Sequence, residues 1–301
     1  MTMALNWGTE SLWPSLATIL PGLTVDVLAE AGSTNNVLLE RARQGDTRPC
    51  LLVAEHQSAG RGRLGRVWQS TPGSSLTFSL GLRLAPVDWS GLSLAVGLAL
   101  AEALEPDAMA THVVALKWPN DLMLRDDRGP RKVCGILVET VSAGAANTAT
   151  DAEPAGRYAV VGVGLNILPQ AVSRSAAEAG LSSGYACLHE LNPAIDAPTA
   201  LAQVAPTLLR ALLAFEREGF APLRQRFAAR DLLLHQAVRT SLAGLTDGGI
   251  EGIADGVDER GVLWLKSGGR RVAVNSGEVS VRTAAMARWS TLAGSAAGLL
   301  A

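Results

Sequence analysis

The chain has 301 residues, 48% of them hydrophobic and 18% charged, which is enough to bury a sizeable core and excludes global disorder. Its 26 Lys and Arg against 28 Asp and Glu leave a formal charge of −2. It therefore lacks the bulk basic excess of a protein that lives on a polyanion, and any anion site must be a local cluster.

In chain order, Thr24–Ala29 alternates weakly and reads as a strand. Ser33 or Thr34 can cap a helix through Val37, Leu38, Leu39 and Ala42, stopped by Gly45. Leu51–Glu55 reads as a buried strand. Ser75–Leu84 sets Leu76, Phe78, Leu80, Leu82 and Leu84 against small or polar partners, the period of a strand. Leu92–Leu104 reads as a helix ending near Pro106, and Val113–Trp118, Val133–Val141 and Tyr158–Ile167 as further strands. Ser142–Gly156, rich in Ala, Gly, Thr and Asn, reads as a long hairpin loop. Thr199–Glu218 and Leu223–Leu234 are expected to be helical, with Pro206 and Pro222 as starts or kinks. After about His235, short apolar runs alternate with Gly-rich turns, the pattern of a small all-β domain. The fold class expected is α+β, because the strand pairs of the first part are mostly not joined as βαβ units. The division expected is 1–234, 235–284 and a flexible tail, 285–301.

Cys50, Cys134 and Cys187 are odd in number and widely spaced, which gives neither a disulfide framework nor a zinc pattern. No Lys or Arg precedes Arg41, so a signal peptide's basic region is missing. Leu92–Leu104 is too short to span a bilayer and contains Glu102. The expectation is a cytoplasmic protein with no membrane partner.

Three segments could carry chemistry. Gly60-Arg61-Gly62-Arg63-Leu64-Gly65-Arg66-Val67-Trp68 formally matches G-x-G-x-x-G, but a β-type segment follows it and the next acid is Asp88, which argues against a dinucleotide fold. Three arginines among three glycines suit an anion better. Glycine lets backbone N–H groups approach, and arginine forks pair with phosphate or carboxylate oxygens. Trp68 offers a flat face for stacking. Lys117-Trp118-Pro119-Asn120-Asp121 closes a strand with a point charge and a pair of oxygen ligands for a hard cation. Lys132 opens the strand through Cys134, Gly135 and Glu139, a cation at the mouth of an apolar run. Taken singly, each has a plainer reading, as a solvated basic turn, a Pro-Asn-Asp turn and a strand-edge lysine. Gly180-Leu181-Ser182-Ser183-Gly184 lacks the strand that a nucleophile elbow needs, and His189-Glu190 lacks the second histidine of a zinc protease helix.

Together, Gly32–Asn35, Glu55–Arg63, Lys117–Asp121, Lys132–Glu139 and Val161–Asn166 resemble, in order and spacing, the biotin–protein ligases, over roughly residues 24 to 282. The resemblance implies a class II synthetase-like catalytic domain, a mixed sheet flanked by helices, followed by a small SH3-like β-barrel. It implies that biotin and ATP give biotinyl-5′-adenylate, with Mg2+, and that the biotinyl group then passes to a lysine of a biotin carboxyl carrier domain of a carboxylase. By the same resemblance Ser33, Thr34, Asn35 and Gln57 bind biotin, and Arg61, Gly62 and Arg63 belong to a loop closing over biotin and the adenylate. Lys132 faces the carboxylate or phosphate. Arg63, Lys132, Lys117 and Asp121 are the catalytic candidates; Trp68, Asn120 and Asn166 are the nucleotide candidates; no metal ligand is assigned. Monomer and homodimer both fit. Leu64 and Cys134 depart from the residues common at those positions, another basic residue and a small one. Some relatives carry an N-terminal DNA-binding module, but the stretch before Gly32 has no basic residue, so no DNA partner is expected. A lipoate or octanoyl transferase and a non-catalytic module are the rival readings.

Overall fold

The computed structural model describes residues 5–105, 112–142, 156–170, 184–242, 249–275 and 279–283. The hairpin loop expected up to Gly156, the first residues of the Gly180–Gly184 motif and the C-terminal tail lie outside them.

Seven strands form one sheet: β1 (Thr24–Ala31), β2 (Cys50–Gln57), β3 (Ser75–Leu84), β4 (Val114–Lys117), β5 (Asp121–Leu124), β6 (Arg131–Ser142) and β7 (Arg157–Asn166). Their order is β1-β2-β3-β7-β6-β5-β4. Only β1 and β2 run parallel, joined by a helix, α2 (Thr34–Arg43), and the other neighbours are antiparallel.

The two faces of this sheet have different chemistry, and the strand period of two decides it. On one face Leu76, Phe78, Leu80, Leu82 and Leu84 of β3 and Ala159, Val161, Val163 and Leu165 of β7 pack into the main core. That core is capped by three helices, α1 (Thr9–Ile19), α3 (Leu92–Leu104) and α4 (Ala197–Glu218). On the opposite face Leu38, Leu39 and Ala42 of α2 cover Cys50, Leu52, Tyr158 and Val160. Beyond α2 the same face carries Thr77, Ser79, Gly135, Gly162 and Gly164, and there the cleft opens.

Helix α4 is long and apolar enough to cross a membrane. Its buried residues Leu201, Val204, Leu208, Leu212 and Phe215 join the main core instead. Its start is set by the Asp196 carboxylate, which accepts from the Thr199 N–H at 2.8 Å. Pro206 lies within the helix rather than ending it.

The helix expected over Leu223–Leu234 is shorter. A single turn at Ala221–Leu223 leads into α5 (Arg224–Arg230), and the chain leaves helical geometry at Asp231. Asp231 bridges to Leu116 of β4, and the Leu232 N–H donates to the Leu116 carbonyl at 2.9 Å. Pairing with the sheet edge thus ends the helix. Arg230 is anchored beside this junction, 2.6 Å from the Glu105 carboxylate and donating to the Val114 carbonyl at 3.0 Å.

The remaining strands are β8 (Ala237–Leu242), β9 (Glu251–Val257), β10 (Leu263–Ser267), β11 (Arg270–Val274) and β12 (Val279–Thr283). They form a separate antiparallel sheet in the order β11-β10-β9-β8-β12, the small barrel-like unit of an SH3-like fold. It is fastened to the larger sheet at Gly261. The Gly261 carbonyl accepts from the Trp118 indole N–H at 3.0 Å. A Cβ at Gly261 would come within 2.9 Å of the Gly91 Cα, and its φ is +76°, so both contact and conformation demand glycine.

Asp231 is buried, accepts from the Leu233 N–H at 2.9 Å, and has a second oxygen with no hydrogen bond among the described residues. Burial pushes its carboxyl up to about 6 from 3.8. The charged form is therefore penalised in the fold at every pH above about 6, and the penalty fades as pH falls toward 4. Asp231→Asn keeps the acceptor. It should raise unfolding free energy by about 2 kcal/mol at pH 8 and change it little at pH 4, as measured by urea denaturation at both pH values.

Candidate active-site cleft

The cleft lies over the stripped part of the sheet, between the N-terminus of α2, the Gly60–Trp68 turn and the β4–β5 turn, and encloses about 990 Å³ including its mouth. At one end stand Ser33, Thr34, Asn35 and Gln57. Ser33 occupies the N-cap position of α2 in extended geometry, but its side chain makes no cap bond. The cap comes from β2 instead: Gln57 Oε1 accepts from the Thr34 backbone N–H at 2.7 Å and from its hydroxyl at 3.1 Å. The atom facing a backbone N–H must be the amide oxygen, so the Gln57 NH2 points elsewhere, alongside Gly60. The Ser79 hydroxyl donates to Asn35 Oδ1 at 2.6 Å and lies 2.7 Å from Thr34 Oγ1. Asn35 in turn donates to the Leu137 carbonyl at 3.2 Å and to Glu139 at 2.9 Å.

The floor is Trp68, laid over two glycines. A Cβ at Gly164 would sit 2.2 Å from its ring, and one at Gly135 3.1 Å away. Its Nε1 is buried and makes no hydrogen bond among the described residues. At Gly162 a Cβ would lie 2.2 Å from Asn35 Oδ1. Thus the glycines of β6 and β7 make room for the side chains that line the cleft.

The Gly60–Trp68 segment is a tight turn, closed by Gly62 N–H to the Arg66 carbonyl at 2.7 Å and Trp68 N–H to the Gly60 carbonyl at 2.9 Å. Leu64 takes a left-handed conformation at φ +59°, a strained one for a leucine. Arg61 reaches back to α2, and Arg63 Nη1 donates to Asn120 Oδ1 at 3.2 Å.

The far end is electrostatic. β4 and β5 pair Lys117 with Asp121 across a turn that holds a cis Trp118–Pro119 bond. Asn120 is fixed by two bonds to Ile136. Lys132 Nζ lies 2.7 Å from Asp121 and 5.8 Å from the Trp68 ring centre. A register shift between β5 and β6 turns Lys132 this way. Leu122 faces Cys134 and Met123 faces Lys132, so Val133 is an extra residue. Val133 and Cys134 both enter the core, and Lys132 turns to the cleft. Burial works to raise the Asp121 carboxyl, but the Lys132 and Lys117 charges overcome it and hold it below its ordinary value. Burial lowers the Arg63 guanidinium, with Asp121 acting against it. Burial also pushes the Cys134 thiol up, which makes it an inert core residue.

All the sequence-derived site residues line this cleft except Asn166. Its buried amide donates to the Lys132 and Ala186 carbonyls at 3.2 and 2.9 Å, fastening Tyr185–Ala186 beside the start of β6. It stands behind Lys132, not in the lining. Sequence reasoning missed Ser79, Gly162, Gly164 and Val281, a β12 residue that also lines the cleft. The small partners alternating with leucine in β3, and the Gly-x-Gly of β7, were the available signals. Among the described residues no group of three or more His, Cys, Asp or Glu could hold a metal.

Residues 29–150 match the model of the biotin/lipoate A/B protein ligase family, and residues 242–282 that of the biotin protein ligase C terminal domain. The chain is 37% identical over 262 residues to the biotin–[acetyl-CoA-carboxylase] ligase of Mycobacterium tuberculosis, covering 85% of this chain and 88% of that one. It is 36% identical over 270 residues to the bifunctional ligase/repressor BirA of Escherichia coli, covering 88% of this chain and 76% of that one. Among solved structures, the biotin protein ligase of Aquifex aeolicus in complex with biotin and ATP superposes with a TM-score of 0.67 at 26% identity, over 87% of this chain and 99% of that one. With a cleft built from the same segments that carried the sequence resemblance, the chain belongs to the biotin protein ligase family.

Proposed function

We propose that the chain is an ATP-dependent biotin–protein ligase. It forms biotinyl-5′-adenylate and pyrophosphate, then passes the biotinyl group to a lysine of a biotin carboxyl carrier domain and releases AMP. The observation that carries this reading is one cleft with an uncharged polar pocket at one end, Lys132 paired to Asp121 at the other, and Arg63 entering from the turn above. The C-terminal match to biotin ligases favours biotin over lipoate.

In this reading Ser33, Thr34, Asn35 and the Gln57 NH2 hydrogen-bond the ureido head of biotin. Its carboxylate points toward Lys132. The carboxylate oxygen attacks the α-phosphorus and pyrophosphate departs. Negative charge gathers at that phosphorus, and Arg63, Lys117 and Lys132 stand where they offset it. Asp121 holds Lys132 in place. Trp68 packs on the adenine. Arg61 and Gly62 complete the covering turn, which keeps water from the mixed anhydride. The carrier lysine, as free amine, then attacks the acyl carbon, and AMP leaves. A magnesium ion bound with the triphosphate would neutralise the leaving group. The Asp121 carboxylate is the group in the cleft that would help hold such an ion, since Mg2+ is commonly bound through one carboxylate plus phosphates, and Asn120 Oδ1 already accepts from Arg63. We assign residues 1–234 to the catalytic domain and 235–284 to the small barrel, and place the protein in the cytoplasm, as monomer or homodimer, without a DNA partner.

Incubating a carrier domain with the chain, biotin, ATP and magnesium should add the biotinyl mass to one lysine, and only when every component is present, as read by mass spectrometry. Arg63→Ala should weaken binding of a non-hydrolysable adenylate analogue more than binding of biotin, measured by calorimetry; equal losses would contradict the role given to Arg63. Gly164→Ala should lift Trp68 off the sheet and raise the KM for ATP about tenfold while changing that for biotin less, measured in steady-state kinetics.

A further inference from the structure

Glu139 joins the covering turn to the start of α2. One carboxylate oxygen accepts from Asn35 Nδ2 at 2.9 Å, and the other lies 3.1 Å from an Arg61 guanidinium nitrogen. Arg61 also donates to Asn36 Oδ1 at 2.6 Å. Asn35 is held from beneath by Ser79 at 2.6 Å. One β6 carboxylate therefore contacts the turn through Arg61 and the start of α2 through Asn35.

We propose that Glu139, held in place by Asn35, is a positioning residue that latches the arginine turn shut over the adenylate. The assignment rests on the ligase reading above. The chemistry suits a latch. The backbone bonds between Gly62 and Arg66 and between Gly60 and Trp68 are internal to the turn, so its tip, residues 61–67, can move while the Trp68 ring stays on the sheet. The Arg61–Glu139 pair is partly solvated, with 46% and 23% of the two side chains exposed. Such a pair is weak enough to break in each turnover and is weakened by salt. The Asn35 bond is more sheltered.

The test uses the full chain loaded with labelled biotinyl adenylate, chased with excess unlabelled biotin and ATP. Glu139→Gln keeps an acceptor for Asn35 and removes the charge. It should leave adenylate formation, followed as pyrophosphate exchange at saturating substrates, within about twofold of the parent, and speed adenylate escape about two- to fivefold. In the parent, escape should quicken as salt rises from about 0.05 M to about 0.5 M, and in Glu139→Gln that dependence should be weaker, because only the phosphate contacts of Arg63, Lys117 and Lys132 remain to be screened. A merely structural carboxylate would not give that salt signature. Glu139→Ala, which also releases Asn35, should in addition weaken biotin binding. Parent-like escape from Glu139→Gln, or an unchanged salt dependence, would overturn the latch. A parent chain that makes no adenylate would sink the ligase reading itself, before either variant is compared.

Discussion

A sheet that is apolar on one face and, beyond the part covered by α2, stripped to glycine, serine and threonine on the other is the constraint from which the rest of the molecule follows. The apolar face supplies the burial that holds the fold, through β3 leucines and β7 valines under α1, α3 and α4. Strand geometry then forces the alternate residues onto the cleft side. There a large side chain would fill the space that Trp68 and Asn35 occupy. Glycine in a strand interior costs stability, and Gly135, Gly162 and Gly164 are tolerated because the neighbouring face is so thoroughly buried.

The same arrangement explains how the cleft keeps its charges. A lone buried ammonium or carboxylate is expensive, and a buried pair is tolerable only when geometry is good and further groups assist. Asp121 and Lys132 meet at 2.7 Å, with Lys117 close by in sequence register. The pair does little for stability on this account. Its effect is to keep Lys132 aimed, with its Nζ 5.8 Å from the centre of the Trp68 ring. Outside the cleft, Arg131 braces the same strand end. It donates to Glu190 at 2.8 Å, and these bonds, Arg131 foremost, hold the Glu190 carboxyl down at about 2.

Much of this was legible in the sequence where the period is regular. Ser75–Leu84 falls where the pattern puts it because its period of two is unbroken, and Leu92–Leu104 because a nearly continuous apolar run of that length suits a buried helix better than a strand. The polar candidates also converge, since order and spacing of several motifs carry more information than any one. What was not legible has a physical reason in each case. Asp121–Leu124 is a four-residue strand beginning inside a Pro-Asn-Asp turn, too short to show a period. The N-terminal helix contains Pro14, which argues against a helix in the sequence alone. α5 stops early because of a tertiary pairing with β4. The bulge at Val133 matters most. A strict period of two puts Lys132 and Cys134 on one face, and the extra residue places them on opposite faces. Asn166 lies outside the lining for a related cause: a motif shows that a residue is near the site, but not whether its side chain lines it or supports it from behind.

The small sheet is more than an appendage to this arrangement. The turn that carries Asn120 and Asp121 also carries Trp118, fully buried, whose indole N–H finds its partner among the described residues in the Gly261 carbonyl of the small sheet. Burying an indole without a partner for its N–H is costly. The shape of the β4–β5 turn is therefore tied to the position of Gly261. Arg260 beside it pairs with Asp88 at 2.7 Å, ahead of α3, and Val281 reaches the cleft itself. An exposed pair such as Arg260–Asp88 adds little on its own. The buried indole bond and the glycine contact at Gly91 set the register between the two sheets, because neither accommodates a shift. The geometry of the charged end of the cleft thus depends on a hydrogen bond made to the other sheet, more than 140 residues away along the chain.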